Sequence, residues 1–182
     1  MNSTATGGYL TNGGTRPNIN HAVHDLIVGI SGLGNTYVRP KNQPNPPPPP
    51  AFGTDWIAFG ISNTIADGFA YVDINQKAMR QEHMEVTVSV YGSNADLNSR
   101  NLRDGLEIVQ NWEAITATYG IKFNGSNNIM RVPELHNGRW LQRYDFTFRI
   151  SQNATATYSI LSFESNTPYA YNAVTTGIIK NS

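Results

Sequence analysis

Along residues 83–91, HMEVTVSVY, apolar and polar side chains alternate at every step. A strand points successive side chains to opposite faces, so Met84, Val86, Val88 and Val90 share one face while Glu85, Thr87, Ser89 and Tyr91 share the other. That pattern predicts a half-buried strand. A longer alternation, RWLQRYDFTFRIS at 139–151, places Trp140, Gln142, Tyr144, Phe146, Phe148 and Ile150 on one face. Arg139, Leu141, Arg143, Asp145, Thr147 and Arg149 then fall on the other. DWIAFGISN (55–63) and FAYVDIN (69–75) are further strand candidates, and Asp67-Gly68 between them suits a hairpin turn. TATYSILSF (155–163) reads as a final strand.

Elsewhere the period changes. In INHAVHDLIVGI (19–30), Val23, Leu26, Ile27 and Ile30 recur at spacings of three and four, with Asn18 or Asn20 as N-cap and the Gly-rich SGLGN as the stop. The run LIVGI also suits a short buried strand, but the spacing favours a helix. ADLNSRNLRDGLEIVQN (95–111) puts Leu102, Leu106 and Val109 on one stripe with Ala95, which predicts a helix laid on a sheet. Gly105 inside it lowers helix propensity by about 1 kcal/mol and points to a close approach. WEAITATYG continues the helical part up to the Gly-Asn loop FNGSNN. The order of helix, strands, helix and strands predicts an α+β fold, an antiparallel or mixed β-sheet packed against two or three helices.

One stretch fits neither period. QPNPPPPPAFGTDW (43–56) holds Pro44 and the unbroken run Pro46–Pro50, which cannot enter a helix or an interior strand. The sequence therefore divides into a flexible Gly/Thr/Asn-rich segment at 1–18, one α+β domain at 19–163 that includes an extended proline-rich arm at 35–53, and a polar tail at 164–182.

Composition narrows the chemistry. Thirteen basic and thirteen acidic side chains cancel, so no global field holds a nucleic-acid backbone or an anionic membrane. The chain has no cysteine, which excludes disulfides, thiol catalysis and cysteine-containing zinc sites and suits a reducing cytoplasm. Its start, MNSTATGGYL, gives export no support, and no apolar run is long enough for a membrane span. GISGLG has the wrong spacing for a dinucleotide loop and runs into NTYVRP rather than a helix. His21, His24 and Asp25 could meet on one helical turn, but no third strong ligand stands nearby, so a solvated helix face is the better reading. Asp67, Asp73, Glu82, Glu85 and Asp145 form no recognisable carboxylate pair. No catalytic, cofactor-binding or metal site is expected. Two other classes stay open: a receptor- or carbohydrate-binding module with aromatics exposed in a groove, and a hydrolase with a site assembled from distant carboxylates.

Three ordered stretches carry a resemblance. HDLIVGISGLGNTYVRPKNQPNPPPPPAFGTDWIAFGI contains V-R-P, Q-P-N-P-P and a T-D-W strand; QEHMEVTVSVYGSNADLNSRNLRDGLEIVQNWEAI contains Y-G-x-N-A and L-R-D-G-L; RVPELHNGRWLQRYDFTFRI contains V-P-E-L and W-x-x-R-x-D. Over roughly residues 21–152 the sequence resembles the phage neck or tail terminator proteins, which complete the tail and join it to the head. The run of five prolines and Tyr144 depart from the family pattern.

The resemblance implies a structural virion protein with no enzymatic activity and no cofactor, assembled in the host bacterial cytoplasm. It implies a ring of six copies that ends the tail tube, joins the head-completion or connector protein, and leaves a lumen for DNA that is not specifically bound. Tail tube, and sheath in a contractile tail, would be further partners; another connector tier is the nearest alternative. Candidate subunit-interface residues are Arg39, Pro40, Pro46 and Pro50 on the arm, Arg100, Arg103 and Asp104 on the helix, and Arg143, Asp145 and Arg149 on the last long strand, the charged ones forming ion pairs between or within subunits.

Overall fold

The computed structural model describes residues 17–68, 71–72 and 77–157. The expectations for residues 1–16, for most of 69–76 and for the chain after Thr157 lie outside the described residues.

Helix α1 (Ile19–Ser31) starts where Asn18 Oδ1 accepts a hydrogen bond from the His21 amide at 3.2 Å. It stops at Gly32, whose φ of 68° only glycine adopts readily and whose amide donates to the Val28 carbonyl. A single 3-10 turn (Asn35–Tyr37) leads into β1 (Val38–Pro40). Then come β2 (Trp56–Ala66), β3 (Tyr71–Val72), β4 (Lys77–Tyr91), α2 (Ala95–Leu106), α3 (Val109–Tyr119) and β5 (Ile121–Ser126). The chain continues as β6 (Met130–Arg131), β7 (Glu134–His136), β8 (Arg139–Leu141) and β9 (Arg143–Thr157).

The main sheet runs β1-β2-β4-β9-β5, with β3 also on β4 and β6 also on β9. Among the described residues only β1 and β2 are parallel and every other pairing is antiparallel, so the fold is α+β with a mixed sheet, as the sequence predicts. Met84, Val86, Val88 and Val90 of β4 are buried with Phe146, Phe148 and Ile150 of β9 and Ile57 and Phe59 of β2. Ala22, Val23, Leu26 and Ile27 of α1, Leu102 and Leu106 of α2 and Trp112 of α3 complete this core. Gly105 is the close approach that its place in α2 implied: a Cβ there would collide with the Ile30 side chain of α1.

Four local expectations are corrected. Asp67-Gly68 does not turn a hairpin, because β2 and β3 both pair with β4 and the Asp67 amide donates to the Gln81 carbonyl; the pair interrupts one long edge. The predicted helix at 95–111 breaks at Ile108, whose ψ of 118° redirects the chain, so Val109 leaves the Leu102/Leu106 stripe and is exposed. FNGSNN is largely strand, since Ile121–Ser126 pairs with β9 through an irregular register between Phe123 and Ser126. The predicted strand at 139–151 is two strands. Asn137 and Gly138 both take positive φ and fold β7 onto β8, so Trp140 belongs to this ribbon and points to solvent rather than into the core.

Candidate assembly surfaces

The helices cover one face of the sheet, and the other is lined by polar and charged residues. Across β4 and β9, Thr87 faces Thr147, Ser89 faces Asp145 and Tyr91 faces Arg143. The proline arm crosses this helix-free side. Because β1 is parallel to β2 and Pro40 lies opposite Phe59, the chain must travel back before β2 can begin at Trp56. Of the arm predicted at 35–53, residues 35–40 instead form the 3-10 turn and β1; residues 41–55 make that return, and Pro46, Pro47 and Pro49 border a groove of about 430 Å³ whose other walls include Ala58, Tyr91 and Arg143.

The arm has no apolar stripe; polar contacts hold it. The Arg39 guanidinium donates to the carbonyls of Thr36 and Pro48, both at 2.7 Å, closing the arm into a loop. At its far end Ser93 Oγ donates to the Gly53 carbonyl at 3.1 Å. Asp55 accepts from the amide and the side chain of Asn94 at 2.9 and 2.8 Å, placing a carboxylate at the start of α2, where the helix dipole favours it. Pro44 and Pro46–Pro49 remain exposed, whereas Pro40 and Pro50 are half-buried.

Where the arm meets the sheet, aromatic rings and guanidinia alternate. Trp56 and Tyr91 stack with centroids 4.2 Å apart, with Arg39 6.0 Å from the Trp56 centroid and Arg143 5.6 Å from that of Tyr91. Arg143 also forms a two-pronged pair with Asp145 at 2.8 and 2.7 Å and reaches Glu134 at 3.0 Å. The Asp145 bond holds its guanidinium above the ordinary range despite partial burial. Burial pushes the Tyr91 hydroxyl up. Burial likewise pushes the neighbouring Lys41 ammonium down, and among the described residues it makes no ion pair, only a long 3.5 Å contact with Thr87.

The remaining charged candidates are surface pairs. Arg100 bonds Asp96 and Arg103 bonds Asp104, each at 3.1 Å; such exposed pairs contribute about 0–1 kcal/mol. Asp96, Arg100 and Arg103 edge a groove of about 410 Å³ together with Arg131 and Tyr144. Arg149 is exposed, opposite Glu85 in the ladder. The structure thus joins Arg143 to Asp145 and Arg103 to Asp104, and leaves Arg149 apart.

Sequence reasoning missed Lys41, Asp55, Arg131 and Glu134. An ammonium five residues before an unbroken proline run carries no spacing signal. The aromatic groove has a bearing on the carbohydrate alternative. Phe52, Trp56 and Tyr91 line a groove of about 660 Å³, but Trp56 and Tyr91 cover each other and Arg139 lies 5.5 Å from the Phe52 centroid. The Trp56 and Tyr91 faces a sugar would stack on are therefore covered, while Phe52 stays 56% exposed. Glu134 and Asp145 do converge, on the guanidinium that neutralises them both.

On the helix side His21, Asp25 and Tyr119 form one network. Tyr119 donates to Asp25 at 2.9 Å and lies 2.8 Å from His21 Nδ1, tying α1 to α3, while His24 contacts Asp25 at 3.2 Å. No cluster able to hold a metal occurs among the described residues. Desolvation opposes the Asp25 charge, but the bonds from His24 and Tyr119 and the nearby histidines outweigh it, holding its carboxyl below the ordinary 3.8. A depressed carboxylate contributes stability above its unfolded-state value and loses it as pH falls through the folded one. The Asp25→Asn variant is thus expected to be less stable by about 0.5–1 kcal/mol at neutral pH, solvent screening limiting the effect. The gap from the parent should close as pH falls below about 4, in denaturant titrations at several pH values.

No match is found among curated proteins. A family model described as "Phage neck terminator protein" matches residues 18–173, which takes in every described element, so the chain belongs to the phage neck terminator family, whose members are structural components of the bacteriophage neck and tail.

Proposed function

We propose that this protein closes the tail tube as a ring of six copies, joins it to the head connector, and leaves a lumen through which DNA passes. The family match over residues 18–173 carries the reading. The fold is consistent with it in physical terms. A ring joins one surface of a subunit to a different surface of the next, and the arm face and the helix layer offer two unlike surfaces. The exposed prolines of the arm have little conformational freedom left to lose on contact with a neighbour or with the tube. Formal charges that sum to zero suit a passage that must not grip DNA through basic contacts, each of which would add a salt-dependent hold. In this arrangement Arg39, Pro40, Pro46, Pro50, Arg100, Arg103, Asp104 and Arg149 are candidate contacts between subunits, and Arg143 with Asp145 shapes the arm face from within.

A phage carrying a stop codon at Trp56 tests the reading by electron microscopy of lysates. DNA-filled heads beside unjoined or overlong tails are expected. Complete particles that fail to attach to cells would overturn it in favour of a receptor-binding role.

A further inference from the structure

The β7–β8 ribbon is too short to be stable alone, and it is anchored by one face only. On that face Glu134 meets Arg143 and Arg139 lies over Phe52. On the opposite face Leu135 and Trp140, direct partners across the ladder, are 58% and 66% exposed. A projecting tryptophan beside a leucine is a costly surface for a free chain and a typical anchor for a bound one.

A second apolar patch lies elsewhere, at the corner between α2 and α3. Ile108 and Val109 are 53% and 71% exposed there, with Leu97 exposed further back on α2. This corner sits beside β5, where Ser126 Oγ donates to Glu107 at 3.0 Å. The ribbon lies at another part of the molecule, against the start of β2 and the end of β4, as the shared groove with Trp56 and Tyr91 shows.

The charges around the two patches are opposite. Arg139 and His136 lie on the anchored face, the ribbon's own carboxylate, Glu134, is taken up by Arg143, and the exposed Arg131 just before the ribbon supplies its positive charge. The corner carries exposed Glu107 and Glu113, while the nearby Asp104 is paired with Arg103. Ribbon on ribbon or corner on corner would set like charges together; ribbon on corner sets opposite charges around an apolar centre.

We propose that the Leu135/Trp140 face of the ribbon in one copy docks on the Ile108/Val109 corner of the next copy, with Arg131 beside Glu107 and Glu113. The proposal rests on the ring reading and supplies its contact. Each copy uses one patch toward each neighbour, which is the head-to-tail contact that a closed ring requires.

Because the chain has no cysteine, cross-links report introduced residues alone. Phage particles carrying the Leu135→Cys, Val109→Cys double variant, treated with a short bis-maleimide, should give a denaturing-gel ladder of this chain from dimer upward. Neither single variant should give it. A charge exchange is independent of the reagent: Arg131→Glu and Glu113→Arg should each lower the yield of joined particles several-fold, and their combination should restore it. Joined particles with neither ladder nor rescue would overturn the docking and leave the ring standing. Dimers from a single-cysteine variant would overturn it in favour of a symmetric contact. Joined particles that lack this protein would overturn the ring reading itself.

Discussion

Replacing Phe148 by alanine is expected to remove about 3–5 kcal/mol of stability, the cost of emptying a large aromatic site in a core that collapses only partly. Phe148 is 1% exposed near the middle of β9, with the rings of Trp112 and Phe123 both 6.5 Å away. Trp112 has little room to fill the void, because its indole N–H is bonded to the Leu106 carbonyl at the end of α2. The same residue that would have to move thus pins α2 to α3. Against a typical total of about 5–15 kcal/mol, the loss leaves a marginal protein. Urea unfolding should show a midpoint lowered by one molar or more with an unchanged slope. Phe148→Leu, which keeps most of the volume, should cost less than about 1.5 kcal/mol. Equal midpoints for the alanine variant and the parent would mean that the β9 core does not limit stability.

The centre of this fold is legible because its physics is local and periodic. Strict alternation marks Met84 to Val90, and the three-four spacing in α1 marks Val23, Leu26 and Ile27, which are buried, and Ile30, which is half-buried, while it passes over the buried Ala22. Two of the errors share a cause: a periodic pattern runs on after the backbone has turned. Trp140 keeps step with Tyr144 and Phe146, yet Asn137-Gly138 has already folded its strand into a separate ribbon. Val109 keeps step with Leu106, yet the extended backbone at Ile108 starts a new helix. These two misplaced residues are the exposed ones that now define the two apolar patches. Periodicity tells which residues share a face of one element and not where that element ends.

The arm was half legible. Proline chemistry ruled out helix and interior strand, and the Arg143–Asp145 pair follows from two residues on one strand face. The parallel pairing of β1 with β2 had no signal, because a strand of three residues has no measurable period. Without that pairing, the reason for a long proline segment within the subunit is invisible. With it, the arm has one task inside the chain, the return from β1 to β2, and keeps an exposed proline edge for contacts outside it.

The end of that return depends on Gly92, and Gly92→Ala is expected to cost about 3 kcal/mol or more. Its φ of 117° lies in a region that side chains other than hydrogen rarely allow. An added Cβ would also fall 2.6 Å from Asp55 Cα and 2.7 Å from the Thr54 carbonyl oxygen. Both are backbone atoms, so a rotamer change cannot relieve the collision. Either β4 parts from the arm at its last residue or Asp55 withdraws from Asn94, which releases the start of α2. The strain therefore falls on the junction of arm, sheet and helix while leaving the Phe148 core in place. Thermal unfolding should show the loss, and hydrogen exchange should show faster exchange at the Asn94 amide, which Asp55 now holds at 2.9 Å, than at the β4 amides paired with β9. Unchanged exchange at Asn94 would mean that the arm is seated by Arg39 and Pro48 alone.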